Sequence, residues 1–307
     1  MRHFRNIPTK NISWLNIKSD NRGGVISDLY YPEDIEELKQ VVLQCQKEHR
    51  KYYVFGHTSN SYLLPCFSPE VVISVLYLRR YNETDKTITV ECGMHSKVLA
   101  KMMVDKGYEG FEGLVDLPGT ISGAIYGNAG CYGCLMSDHM ISAKVLLHSG
   151  VVVDFSKDEL GLKQRTSKLK DGIIKGTILT VEFEKIKGDV CELKRKAQHA
   201  HENRLKTQPG PANNLGSIFK TDELTTYGNW IRRIGRYMAK FLRISENSHS
   251  ILKLKLFLSG YPSLEKYLFD MNRFIWKDKN AHKAFDEYLK LRKKLYKHNK
   301  YEIEIFG

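Results

Sequence analysis

The chain has 307 residues, more than one hydrophobic core normally serves, so two or three packed subdomains with room for a deep ligand cleft are expected. Its 42% hydrophobic and 27% charged residues are an ordinary globular balance, and no stretch reaches the roughly 20 apolar residues of a membrane span. A formal net charge of +13 favours anionic partners, but no helix-turn-helix, zinc-finger or RNA-recognition signature accompanies it. A small phosphorylated ligand such as a dinucleotide or nucleotide sugar is therefore expected, rather than nucleic acid.

The opening MRHFRNIPTKNISWLNIKSD is basic without a following apolar stretch, which predicts a cytoplasmic protein. The cysteines at 45, 66, 92, 131, 134 and 191 are too sparse for a disulfide scaffold, so reduced thiols are expected. Pro32 followed by Asp34-Ile-Glu-Glu-Leu-Lys-Gln-Val-Val-Leu, with apolar residues three and four apart, predicts an amphipathic helix. Lys51-Tyr-Tyr-Val-Phe55 predicts a strand running into the polar turn Gly56-His57-Thr58-Ser59-Asn60. Strand-like runs at 71–78 and 87–92, separated by a polar stretch, predict a meander, and helical spacing returns over 96–105. From Leu117 to Gly133 glycine is so dense that a backbone-led loop is expected. Further strands at 143–147, 151–155 and 178–183 close an α+β unit near residue 187. A charged helix over 192–205 then leads to the turn-rich 208–214, and the Lys-rich remainder is mostly helical in pattern, with no internal repeat.

Two of these segments offer the groups a buried pyrophosphate requires. Gly56, His57, Thr58, Ser59 and Asn60 supply backbone N–H groups and small hydroxyls, although a plain surface turn explains such a stretch as well. In the second loop Pro118, Gly119, Thr120, Ser122, Gly123, Asn128, Gly130, Tyr132 and Gly133 interleave glycine with small polar groups, as where backbone approaches a ligand. Cys131 and Cys134 have half-zinc-site or dithiol spacing but no second ligand pair, and His199 and His201 diverge on a helix, so no metal is expected. The run at 289–300 reads as the solvated face of an amphipathic helix.

Together the two loops resemble the FAD-cradling segments of the UDP-N-acetylenolpyruvoylglucosamine reductase family, whose patterns run G-x-G/T-S-N and P-G-T-x-G-G-A-x-x-x-N-A-G-A-Y-G. Leu160-Gly-Leu-Lys-Gln-Arg165-Thr-Ser167 is similar to its L-G-F-x-Y-R-x-S, and Arg204-Leu-Lys-Thr-Gln208-Pro209 to its R-x-x-x-Q-P. Gly216-Ser217-Ile-Phe-Lys220 is similar to G-S-x-F-K, and Glu302-Ile-Glu-Ile-Phe-Gly307 to the closing E-V-x-x-I-G. The resemblance implies an α+β, PCMH or vanillyl-alcohol-oxidase type of FAD-binding fold: subdomains at 1–80 and 81–190, then a substrate domain at 191–307. It also implies bound FAD, NADPH as reductant, a nucleotide-sugar substrate and a place in cell-wall peptidoglycan synthesis, and leaves the oligomeric state open. The reaction would be reduction of an enolpyruvyl ether to a lactyl ether. Arg165 would hold the substrate carboxylate, Glu302, or Glu304 two residues on, would stabilise the enolate-like charge, and Ser217 would donate the proton. Gln208 and Lys220 would complete the substrate contacts.

This sequence departs from that pattern at several places. Ile17-Lys18-Ser19 stands for I-G-G, Gln164 for the tyrosine before the arginine, and Thr221-Asp222 for Asn-Pro. Residues 222–300 carry nothing like the family's G-x-x-V-S-x-x-H-A-N-F-I-x-N run. The same chemistry on another enolpyruvyl sugar, for a surface polysaccharide, is one alternative. An FAD-dependent sugar-alcohol oxidase, with flavin attached through His57 or Cys131, is another. A degenerate flavin scaffold and a basic nucleic-acid binder are the non-enzymatic ones.

Overall fold

The computed structural model describes residues 8–13, 23–210, 214–278 and 280–307, so Ile17-Lys18-Ser19 lies outside the described residues. Two compact units emerge, the first made mainly of Gly24–Thr58 and Ser68–Lys206, the second of Ser59–Phe67 and Thr207–Gly307.

In the first unit β1 (Thr9–Ser13) and β2 (Val25–Tyr30) pair antiparallel. Helix α1 (Ile35–Lys47) starts where Asp34 Oδ1 accepts the Glu37 N–H at 2.9 Å, and Leu38, Val41, Val42 and Cys45 form its buried face. After β3 (Tyr52–Phe55), β4 (Ser61–Leu63) leaves for the second unit, and β5 (Val71–Ser74) inserts between β2 and β3, parallel to both. The α1 crossover permits that parallel pairing. Arg50 ties the sheet's edge by hydrogen bonds to Asp28 and Glu70, each at 2.5 Å.

The expected meander does not form. Thr87–Glu91, β7, pairs instead with β6 (Tyr81–Glu83) as a hairpin in a second sheet. The intervening polar stretch is long enough to change sheets, so adjacency in sequence did not become pairing. Helix α2 (Ser96–Asp105) follows, and the glycine-dense segment expected to be all loop contains a short helix, α3 (Ile121–Tyr126). Thr120 caps α3, and Ile121, Ala124 and Ile125 bury its inner side. The two-residue strands β8 (Gly130–Cys131) and β9 (Cys134–Leu135) precede β10 (Met140–Leu147), β11 (Val152–Ser156) and β12 (Gly176–Glu184). The second sheet has the order β11-β10-β12-β7-β6 and is antiparallel throughout.

Helix α4 (Val190–Thr207) packs Leu193 and Ala197 into the first unit's core, and that unit runs to Lys206. The second unit has β13 (Asn214–Ser217), α5 (Thr226–Leu242), α6 (His249–Ser259), β14 (Leu268–Asp270), β15 (Arg273–Ile275), α7 (Ala281–Leu295) and β16 (Glu304–Phe306). Its helical pattern was legible, but the sheet β13-β15-β14 was not, because its strands are three or four residues long. The core is aromatic: the Phe274 ring lies 4.8 Å from Trp276 and 5.1 Å from Phe285, and Tyr62 of β4 lies 4.8 Å from Phe285. Arg292 is 2% exposed, its guanidinium stacked 3.4 Å from the Tyr296 ring centre and 4.5 Å from that of Phe219. Among the described residues no helix is long and apolar enough to cross a membrane.

Candidate functional site

The strand-to-turn segment after β3 lies directly on the glycine-rich loop. A Cβ on Gly56 would meet Thr120 Oγ1 at 2.3 Å, so only glycine admits this contact. Thr58 has a positive φ of 50° and is 9% exposed. His57 Nε2 lies 2.8 Å from His95 Nε2, one ring donating and the other accepting, and the rings meet edge-on at 4.1 Å. Burial, then Arg79 and Lys97, hold His95 below the usual imidazole range.

Within the second loop three successive backbone donors are committed to protein. Ile121 N–H donates to Met94 O, Ser122 N–H to Cys92 O, and Gly123 N–H to Thr120 Oγ1. Asn128 is different. At φ 40° and 1% exposure it donates through Nδ2 to Lys163 O, while its Oδ1 is buried with no hydrogen-bond partner among the described residues. Such an orphan acceptor costs about 1–3 kcal/mol unless a ligand donor satisfies it.

The Cys131–Cys134 spacing belongs to a hairpin. Those cysteines are direct cross-strand partners, and Tyr132 and Gly133 between them have φ of 49° and 85°, as a two-residue primed turn demands. Burial pushes the Cys131 thiol up to about 11, and its Sγ donates to Gly113 O at 3.0 Å. Arg204 and Arg165 both act on that thiol to oppose the shift, which places two guanidiniums near one hairpin. Arg165 has φ 62°, and its Nη2 donates to Gly130 O at 3.5 Å. Arg204 was quoted in a motif yet not singled out, and the repeated arginine beside matched segments was the available signal. Ser167, from the same motif as Arg165, is fully buried and donates to Tyr126 O at 2.6 Å, so it anchors the end of α3.

In the second unit three distant segments meet. Phe219 bridges antiparallel to Tyr301, and the Glu302 N–H donates to Ile218 O at 2.9 Å, beside Ser217. Asn60 Nδ2 donates to Glu302 O at 3.3 Å, and the Glu304 N–H donates to Asn60 O at 2.8 Å. Gly216, at φ 71°, is turned by its N–H donating to Asn214 Oδ1, which sets the entry to Ser217. Glu304 itself pairs with Ser61 in the parallel β16–β4 contact. The Lys220 N–H donates to Lys300 O, and Gln208 is half-buried just past α4. The expected residues thus fall into two groups: Gly56 to Thr58, 118–133 and Arg165 in the first unit, and Ser59, Asn60, Gln208, Ser217, Lys220 and Glu302 in the second.

A family model described as an FAD binding domain matches residues 28–156. The UDP-N-acetylenolpyruvoylglucosamine reductase of Alkaliphilus oremlandii is 31% identical over 215 residues, covering 69% of this chain and 70% of that protein. The chain belongs to the UDP-N-acetylenolpyruvoylglucosamine reductase family. The reductase of that name from Clostridium kluyveri is 30% identical over 199 residues, and the match spans 64% of its length and 64% of this chain. The crystal structure of UDP-N-acetylenolpyruvylglucosamine reductase from Thermus caldophilus matches with a TM-score of 0.70 at 22% identity, covering 97% of this chain and 98% of that one. The α+β FAD-binding fold expected from the motifs is therefore the fold observed.

A flavin dinucleotide fits the first unit on structural grounds. The orphan Asn128 Oδ1 needs a donor, and Gly119 at φ 105° and Gly133, with open space where a Cβ would stand, keep the family's loop clear of side chains.

Proposed function

We propose that the protein is an FAD-dependent, NADPH-consuming reductase that converts an enolpyruvyl ether on a nucleotide-linked sugar into a lactyl ether, as in UDP-N-acetylmuramate formation. Strands from 9–74 and from 81–184 would form two flavin-binding subdomains, and the second unit would carry substrate contacts. Reduced flavin would supply the hydride for the methylene carbon of the ether. Gly56, Thr58, Thr120 and Asn128 would hold the cofactor, with Ser122, Gly123 and Tyr132 beside it.

Arg165 would pair with the substrate carboxylate, and Arg204 near the same hairpin would add to the positive field there. Glu302, as a protonated acid, would stabilise charge building on the neighbouring carbon, and the Ser217 hydroxyl would deliver the proton to that carbon. The observation that best supports this reading is the backbone hydrogen bond from Glu302 to Ile218, which sets the carboxylate-bearing segment beside Ser217 although 84 residues separate Ile218 from Glu302. Lys220 and Gln208 would contact the nucleotide part.

The decisive experiment is anaerobic. Purified flavoprotein is reduced with NADPH, UDP-N-acetylglucosamine enolpyruvate is added, and return of the oxidised flavin absorbance is followed. Rapid reoxidation is expected, and Ser217→Ala should slow it by about 10²–10⁴-fold while leaving flavin reduction by NADPH almost intact. Equal slowing of both half-reactions would overturn the proton-donor role. A second reading, the same chemistry on another enolpyruvyl sugar, is favoured by residues 222–300, which carry nothing like the family's usual substrate-domain run. Reduced flavin that ignores the glucosamine ether but is reoxidised by a different enolpyruvyl sugar would select it.

A further inference from the structure

Helix α5 turns an uncommon face outward. Trp230, Tyr237 and Phe241 are 49%, 69% and 71% exposed. At about 100° per residue they form one stripe with Ile234, away from the buried Gly228, Ile231, Gly235 and Ala239. Just beyond, Leu242 and Ile244 are 50% and 38% exposed. The segment from Thr226 to its C-cap Arg243 contains five basic residues and no Asp or Glu. Arg236 is engaged by Glu246 and Arg232 by Asn229, but among the described residues Arg233, Lys240 and Arg243 pair with no carboxylate.

Single exposed apolar side chains need no explanation, whereas an aromatic stripe edged by uncompensated cations has the layout of a helix lying in a membrane interface. We infer that α5 docks the protein peripherally on an anionic bilayer surface. The aromatic stripe, roughly 16 Å from Trp230 to Phe241, enters the boundary between headgroups and acyl chains. Arg233, Lys240 and Arg243 meet the lipid phosphates. Charge complementarity selects this occupant, because a second copy would set one basic helix against another. Single-stranded nucleic acid stacks its bases along a basic groove, whereas this stripe stands on the convex side of a helix.

The inference uses neither flavin nor catalytic residues, so it stands apart from the proposed reaction. Holoprotein is sedimented with vesicles of phosphatidylcholine alone, and with vesicles about one third phosphatidylglycerol, at low and high salt. Binding is expected only to the anionic vesicles, weakening as salt rises, with a blue shift of tryptophan emission that Trp230→Phe removes. Tyr237→Ser/Phe241→Ser and, separately, Arg233→Glu/Lys240→Glu should each weaken partitioning by at least about tenfold, with flavin content and melting temperature unchanged. The inference is overturned by failure to bind anionic vesicles, or by binding that both double variants retain. A dimer or a complex with nucleic acid or an acidic protein that these substitutions abolish, in the absence of vesicle binding, would equally overturn it.

Discussion

At Gly56 a single methyl group is enough to disturb two closely packed loops. The added carbon would lie 2.3 Å from Thr120 Oγ1 and 2.8 Å from its Cγ2, and Thr120 is 2% exposed and caps α3. Gly56→Ala is therefore expected to cost about 1–3 kcal/mol in denaturant unfolding and to lower the flavin-to-protein absorbance ratio. In the double variant with Thr120→Ala the losses should fall well short of the sum of the singles. Strict additivity would mean that the two loops do not press on each other. Both segments stood out in the sequence, but their contact did not, because nothing in the spacing of residues 56 and 120 encodes it. Nor did the glycine spacing of the second loop disclose that its Ile121, Ser122 and Gly123 N–H groups bond to Met94, Cys92 and Thr120.

Among the elements, α1 and α2 were readable because their apolar spacing repeats over ten or more residues, and Asp34 marked the start of the first. Helix α3 was hidden: six residues inside a glycine-dense run offer too little periodicity, and its cap Thr120 and buried Ile121, Ala124 and Ile125 reveal it only in three dimensions. The β8–β9 hairpin was read as part of a cofactor loop and as cysteine spacing, although Tyr132-Gly133 fits a primed turn. Because open space surrounds the Gly133 Cβ position, Gly133→Val tests backbone geometry alone at φ 85°. We expect a loss of about 1–2 kcal/mol and weaker flavin retention, with far-UV circular dichroism unchanged. A stable variant with full flavin content would refute the turn assignment.

Across the whole molecule, ionisable groups set a window of stability. Burial raises Cys131 to about 11 and also raises Cys134, Tyr52 and Tyr296, so the native chain retains protons that the unfolded chain releases from about pH 9 upward. Stability should therefore fall as pH rises through roughly 9 to 11. On the acid side His95 is held below its usual value of 6.5, and Lys106 and Lys185 hold Glu83 below 4.5, so the unfolded chain binds the extra protons and stability falls below each value in turn. Urea midpoints measured from pH 4 to 11 should plateau at about 7–9, and a midpoint that kept rising above pH 9 would contradict this account. The α+β class could be read from local pattern and from the family resemblance of the motifs. The meeting of Asn60, Ser217 and Glu302 could not, since it depends on pairing between remote segments.

That pairing also imposes an order of events on synthesis. Among the described residues the strand ladder of β4 is with β16, beside one bond from the Gly23 N–H to Leu63 O, and the register Ser61 to Glu304 separates the two strands by 304 − 61 = 243 residues. At about 5–20 residues per second the ribosome takes on the order of tens of seconds to cover that interval. During that time the first unit's strands can already pair, whereas Tyr62 and Leu63, buried in the finished protein, await their cover. A nascent chain of this kind presents a waiting apolar edge, which makes it a natural client for holding chaperones and a poor candidate for rapid overproduction.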